Sequence, residues 1–256
     1  MVDGGREGVG ECLAVCSRIA LSVNWDTRTQ APGEPTRAFF LKGMDMAGVV
    51  DQVKDCGVVA VIRADSPNEL MDVSKALREG GVVAIEITMT VPGALKVIEE
   101  ASAKMTDTII GVGSVLDPET ARAAILAGAE YIVCPVLNTD VIEMAKRYSK
   151  AVMPAGFTPT EILTAWQAGA DVVKVFPASV GGPSYFKDIK GPLPQVELMP
   201  TGGVDINTTT EFIKNGACAV GAGSAMVNKQ AVADKNWAEL TKTAKAFVDA
   251  VALARG

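Results

Sequence analysis

Histidine is absent from this 256-residue chain. That removes Ser-His and Cys-His nucleophile pairs, imidazole acid-base chemistry and every metal site that needs an imidazole ligand. Acid-base work falls to carboxylates, lysine, tyrosine, thiols or water. Aromatic residues are scarce, and Trp25, Trp166 and Trp237 show no spacing that suggests a stacking surface, so packing is their expected role. The formal charge is −6 with no cluster of Lys and Arg to track a phosphate backbone, so no nucleic-acid partner is expected. No apolar run approaches the roughly 18 residues of a membrane span. The most apolar early segment, Leu13 to Val23, is interrupted by Arg18 and preceded by Asp3, Glu7 and Glu11. Neither a signal peptide nor a membrane segment is read there, and the expected location is cytoplasmic. Cys12, Cys16, Cys56, Cys134 and Cys218 are odd in number and scattered, which fits reduced, packed thiols better than a disulfide framework.

What is there has a regular rhythm. Residues 1–43 read as an N-terminal extension: Thr27 to Thr36 is polar and proline-bearing, and Met44 or Met46 is a candidate start of the folded part. From residue 44 to 256, short Val/Ile-rich runs alternate with amphipathic segments at a repeat of roughly 25 residues. The strand candidates are Val58 to Ile62, Val82 to Thr88, Thr108 to Gly111, Tyr131 to Cys134, Ala151 to Met153, Val172 to Val175, Val196 to Met199 and Cys218 to Gly221. Helical patterns at Ser66 to Glu79, Pro92 to Met105, Pro118 to Ala127, Thr139 to Ser149 and Thr158 to Ala168 separate them. A glycine recurs before the strands, as in Glu79-Gly80-Gly81, Ala127-Gly128-Ala129, Ala168-Gly169-Ala170 and Asn215-Gly216-Ala217, where a helix C-terminus needs one. Eight such units point to a single TIM (β/α)8 barrel with an N-terminal extension, and a doubly wound open sheet is the alternative.

Two strands carry an ionisable residue in an apolar setting. Side chains alternate faces along a strand, so Lys174 lies with Val172 and Phe176, opposite Val173 and Val175. In the second strand Glu86, Thr88 and Thr90 lie opposite Ile85 and Ile87. In a barrel the aliphatic faces meet the helices, so Lys174 and Glu86 point inward from opposite sides. The plain alternative is a buried ion pair, a poor stabiliser because desolvation opposes the attraction. The chemical reading is an amine activated by burial, since taking a lysine out of water favours the free base that attacks carbonyls.

The ends of the last two strands, Pro200-Thr201-Gly202-Gly203-Val204 and Gly221-Ala222-Gly223-Ser224, place backbone N–H groups at one rim, where barrels hold phosphate. Arg63 and Ser114, after the first and third strands, reach the same rim in this register and can hold a carboxylate by charge and by hydroxyl; a solvated or structurally paired arginine is the alternative.

Lys174-Val175-Phe176-Pro177-Ala178, Glu86-Ile87-Thr88, Pro200-Thr201-Gly202-Gly203-Val204 and Gly223-Ser224, in this order and spacing, resemble the 2-keto-3-deoxy-6-phosphogluconate (KDPG) and 4-hydroxy-2-oxoglutarate (KHG) aldolases over residues 46 to 250. The resemblance implies a homotrimeric, metal-independent class I aldolase on a TIM barrel, with no cofactor and a phosphorylated 2-keto acid as ligand. It implies that Lys174 forms the Schiff base and Glu86 shuttles protons. Thr201, Gly202, Gly203 and Ser224 would bind substrate, the last three with Gly223 around the phosphate, while Phe176 and Pro135 line the pocket. Thr88, Thr90, Arg63 and Ser114 complete the substrate-binding candidates. Thr90 stands where some members carry an arginine for the pyruvate carboxylate, Ser114 where threonine is commoner, and Pro154-Ala155-Gly156 where the family has Pro-Gly. The implied reaction is reversible cleavage of KDPG to pyruvate and glyceraldehyde 3-phosphate. The alternatives are the same chemistry on the galactonate epimer or on KHG and, in another class, a non-catalytic phosphometabolite-binding barrel. A metal-dependent class II aldolase is disfavoured, for want of a histidine-rich ligand set.

Overall fold

A computed structural model describes residues 48–63 and 67–256. The expected extension (1–43), with Cys12, Cys16 and Trp25, and the candidate starts Met44 and Met46 lie outside the described residues, as does Ser66.

Strands and helices alternate along the chain. Helix α1 (Val49–Cys56) leads into β1 (Val58–Ile62), α2 (Pro67–Glu79), β2 (Ala84–Thr88), α3 (Ala94–Lys104), β3 (Ile109–Gly113), α4 (Pro118–Leu126) and β4 (Tyr131–Val133). Then come α5 (Thr139–Arg147), β5 (Ala151–Met153), β6 (Ala155–Gly156), α6 (Pro159–Gln167), β7 (Val173–Val175) and α7 (Ala178–Lys190). The chain ends with β8 (Leu198–Pro200), α8 (Ile206–Lys214), β9 (Val220–Ala222), α9 (Lys229–Ala233) and α10 (Trp237–Arg255). The result is an α/β fold whose strands run parallel: a six-stranded half-barrel sheet in the order β5-β4-β3-β2-β1-β9, and a three-stranded sheet in the order β6-β7-β8.

The break between the sheets falls at Pro154. Proline has no N–H to continue a ladder, and here the pairing changes side: β5 bonds to β4, while the Pro154 carbonyl accepts from Lys174 N–H at 2.9 Å and β6 bonds to β7. The single fifth strand expected from sequence is thus two short ones, and the lysine strand is β7. Isolated parallel bridges, Leu198↔Ala217 and Thr201↔Gly221, link β8 to the chain around β9.

Burial follows the two-residue period. Outward-facing Ile85, Ile87, Ile110, Val112, Val173 and Val175 pack in the large core with the helices. Inward-facing Val59, Ala84, Ile109, Tyr131, Met153 and Met199 form a second core with members from both sheets, capped by Val53 of α1. Helix starts follow local chemistry: Asp117 and Thr158 cap α4 and α6 ahead of a proline, and Thr158 exchanges hydrogen bonds with Glu161 in a capping box.

Strand starts differ from the sequence expectation for a specific reason. Val82 N–H closes the end of α2 on the Leu77 carbonyl, and Val196 N–H bonds the Leu193 carbonyl, so their apolar runs enter the sheet only at Ala84 and Leu198. At the other end β3 continues through Gly113. Cys134 is buried, whereas Cys56 and Cys218 are only half-buried; all three are free thiols. No helix among the described residues is long and apolar enough to cross a membrane.

Helix α10 closes the fold, with the Arg255 guanidinium donating to the carbonyls of Lys54, Asp55 and Cys218. It also crosses directly over Gly80, where an added Cβ would lie 2.5 Å from Ala244 Cβ and 2.6 Å from the Thr241 carbonyl oxygen. Backbone cannot yield there as a flexible side chain could, so Gly80→Ala should cost about 1–3 kcal/mol in urea unfolding. Gly191→Ala, at helical φ −55° with its nearest neighbour at 3.5 Å, should stay within about 0.5 kcal/mol of the parent.

Candidate active site

Lys174, on β7, is 5% exposed, and Glu86, on β2, is 1% exposed. Both leave the inner face, because their immediate neighbours Val173, Val175, Ile85 and Ile87 occupy the outer one. The Glu86 carboxyl lies over Gly113 of the adjacent strand: a Cβ there would overlap Glu86 Oε1 and Cδ. Burial raises the proton affinity of Glu86 above the ordinary carboxylate range, opposed by the charges of Lys174 and, less strongly, Arg63. Glu86 Oε2 is buried without a hydrogen-bond partner among the described residues, and Lys174 acts on the carboxyl by its charge.

Around this pair the strand ends gather the other candidates. Lys174 Nζ lies 5.2 Å from the ring centroid of Phe176, within cation–π range. Thr88 is buried, and its hydroxyl shares a 2.8 Å hydrogen bond with that of Thr90 at the exposed end of β2. The β7 and β8 ends are joined by Ala178 N–H to the Thr201 carbonyl at 2.9 Å and Ser179 N–H to the Gly202 carbonyl at 3.0 Å. Gly202 and Gly203 adopt φ of 86° and 78°, the left-handed region that glycine tolerates. Gly202 also passes so near Phe176 that a Cβ would lie 3.2 Å from its ring. Ser114, at φ 58°, holds a left-handed conformation without being glycine, a strain of about 1 kcal/mol or more that surrounding structure must sustain. Pro135 follows β4 and is half-buried.

Arg63, Thr90, Gly223 and Ser224 line one cleft of about 420 Å³. Lys174 and Glu86 do not line it, but the Arg63 charge reaches the Glu86 carboxyl, so cleft and pair are electrostatically connected. The turn that carries Gly223 is tight, its carbonyl accepting from Met226 and Val227 N–H at 2.9 Å each.

Three features were not singled out from sequence. Lys229, at the start of α9, adds a cation to the cleft wall. Cys134 lies close enough to feel both Lys174 and Glu86, although burial dominates and pushes its thiol up to about 12. Tyr131 is fully buried on the inner face, its hydroxyl unpartnered, with a ring so close to Gly111 that a Cβ there would overlap it. Period-two alternation extended to β3 and β4 would have put Tyr131, Gly111 and Gly113 on the inner face; Lys229 has no such signal.

Comparison with known proteins shows the family of the chain. A family model described as "Aldolase: KDPG and KHG aldolase" matches residues 49–243. The 2-dehydro-3-deoxy-phosphogluconate aldolase of Pseudomonas aeruginosa is 31% identical over 195 residues, covering 75% of this chain and 88% of that protein. The 2-dehydro-3-deoxy-6-phosphogalactonate aldolase of Escherichia coli is 31% identical over 196 residues, covering 76% and 96%. A KDPG aldolase structure from Legionella pneumophila, with pyruvate captured as a covalent carbinolamine intermediate, superposes with a TM-score of 0.73 at 26% identity, covering 77% of this chain and 97% of that one. With the family match spanning most of the described chain, this protein belongs to the KDPG and KHG aldolase family.

Proposed function

We propose that this chain is a class I aldolase that reversibly cleaves 2-keto-3-deoxy-6-phosphogluconate to pyruvate and glyceraldehyde 3-phosphate. The observation that carries the reading is the pair of buried ionisable groups, Lys174 and Glu86, on inner strand faces within electrostatic reach of each other.

The chemistry follows from those two groups. The Lys174 amine adds to the C2 carbonyl, forming a carbinolamine, and Glu86 protonates the departing hydroxyl so that water leaves and an iminium remains. Glu86, now carboxylate, takes the proton of the C4 hydroxyl. The C3–C4 bond breaks, its electrons enter the iminium to give an enamine, and glyceraldehyde 3-phosphate departs. Protonation of the enamine at C3 and hydrolysis release pyruvate and free lysine. A carboxyl whose proton affinity is raised by burial and opposed by nearby charges suits both roles.

Substrate is held around this pair. Arg63, Ser114, Thr88 and Thr90 take the carboxylate end, Phe176 and Pro135 wall the pocket, and Thr201 lies between the reacting carbon and the rim. Gly202, Gly203, Gly223 and Ser224 supply donors for the phosphate. Residues 44–256 form the aldolase domain as one eight-stranded barrel in which β5 and β6 are one interrupted strand; the bridges between β8 and β9 and the inner core drawn from both sheets support that closure. The reaction is read as metal-independent, because the iminium supplies the electron sink. Location is read as cytoplasmic, and assembly as a homotrimer.

Borohydride reduction with pyruvate present should fix a covalent adduct on Lys174, read by peptide mass spectrometry; folded protein left unmodified there would overturn the reading. Lys174→Ala should abolish pyruvate release, and Glu86→Gln should lower kcat by about 10²–10⁴.

Substrate choice is tested by coupling pyruvate release to lactate dehydrogenase. KDPG is expected to give the highest kcat/KM over its galactonate epimer and KHG, with activity unchanged by EDTA. Light scattering on the purified protein should return the mass of three chains.

A further inference from the structure

Glu86 and Tyr131 sit at the same height on the inner face, with one residue between them. The ladders pair Glu86 with Gly111, and Gly111 with Tyr131. A Cβ on Gly111 would overlap Tyr131 Cζ and both Cε atoms, so the far end of the ring covers the glycine. The hydroxyl, one bond beyond Cζ, thus lies over or past β3, and Glu86 is the first charged group to act on it. The carboxyl leans up the same strand to cover Gly113. Tyr131 Oη and Glu86 Oε2 are both buried and both lack a hydrogen-bond partner among the described residues. Buried hydroxyls and carboxyls are rarely left unpaired, and a phenol beside a carboxyl has a natural acceptor.

We propose that Tyr131 is a positioning residue for Glu86: its hydroxyl donates to the carboxylate through one bridging water and holds it over Gly113 for proton transfer. The proposal rests on the aldolase reading. It explains a tyrosine, instead of a purely apolar ring, in the inner core with Val59, Ala84, Ile109 and Met199. The surrounding charges are consistent with it. Glu86 is faced by Lys174 from β7, Arg63 from the end of β1 and Cys134 from the end of β4. Tyr131 is faced by Glu86, Glu130 and Cys56, and it stays a neutral donor because burial, then Glu86, raise its proton affinity.

The phenol stabilises the ionised carboxyl, so its removal makes Glu86 harder to ionise. Tyr131→Phe keeps the ring over Gly111 and deletes only the hydroxyl. The limb of the kcat/KM profile for pyruvate release that Glu86 sets should move up by about 0.5–1 pH unit, and kcat should fall about tenfold with KM nearly unchanged. A limb that stays in place in folded Tyr131→Phe overturns the proposal, since loss of packing alone would not move it. If Tyr131→Phe does not fold, a fluorotyrosine at position 131, a stronger donor, should move the limb down, and no movement is the overturning result. Borohydride trapping of pyruvate separates the two levels. Failure to trap Lys174 in the parent protein overturns the aldolase reading, whereas normal trapping in both proteins with an unmoved limb overturns the role of Tyr131 alone.

Discussion

A carboxyl and an amine held out of water on β2 and β7 set the terms for the rest of this fold. Burying the Glu86 carboxyl without a hydrogen-bond partner is costly, and the dominant effect of its surroundings is to make it hold its proton more tightly. The opposing charges of Lys174 and Arg63 reduce that cost without cancelling it. Such a group is a poor structural element and a good proton carrier, because burial favours its neutral acid while the nearby charges favour its carboxylate. The aliphatic outer faces of β2 and β7 pack with the helices, and that burial keeps the two strands in register while their inner faces carry charge.

The parity of β2 and β7 was legible in the sequence because Ile85-Glu86-Ile87 and Val173-Lys174-Val175 each set one ionisable residue between two β-branched ones. The recurrent glycines were legible for a similar local reason, and Gly81, Gly128, Gly169 and Gly216 all adopt positive φ. Legibility ended where a residue's role depended on a partner distant in sequence. Val82 and Val196 look like strand and instead close turns. Pro154 interrupts the fifth strand because its neighbours change from β4 to β7, which no local pattern announces. Lys229 joins Arg63 at the cleft only because the end of the chain returns beside β1.

Pair and rim are built from different materials. Lys174 and Glu86 are side chains on strands, fixed by packing on both sides. The rim after β8 and β9 is backbone, made of Gly202, Gly203 and Gly223 in turns that run close to Phe176 and Ser179. Strand side chains are located to within the precision of the core, which bond making requires. Turns at the rim tolerate changes in length and composition, so they can vary without disturbing the lysine. Relatives named for the gluconate and the galactonate epimers resemble this chain equally well, at 31% identity each; those epimers differ at C4, beside the bond that breaks, so overall identity does not separate the two.

Glycines on the inner faces join these two levels. Gly113, Gly111 and Gly221 each lack the Cβ that would collide with a polar side chain from a neighbouring strand: Glu86, Tyr131 and Thr201 respectively. The same three side chains supply three of the four buried polar atoms without a partner among the described residues, the fourth being Ser74 Oγ. The coincidence has a steric cause. A side chain standing upright from a strand projects into the middle of the interior, whereas one laid across a glycine stays against the sheet, leaving space above it. Its polar end is then held between strands, where the ladders supply no further donors or acceptors because their N–H and C=O groups already bond within the sheet plane. Space and uncommitted hydrogen-bonding capacity thus come from the same substitution of hydrogen for a side chain. In an apolar interior, these are the two things a small polar reactant needs.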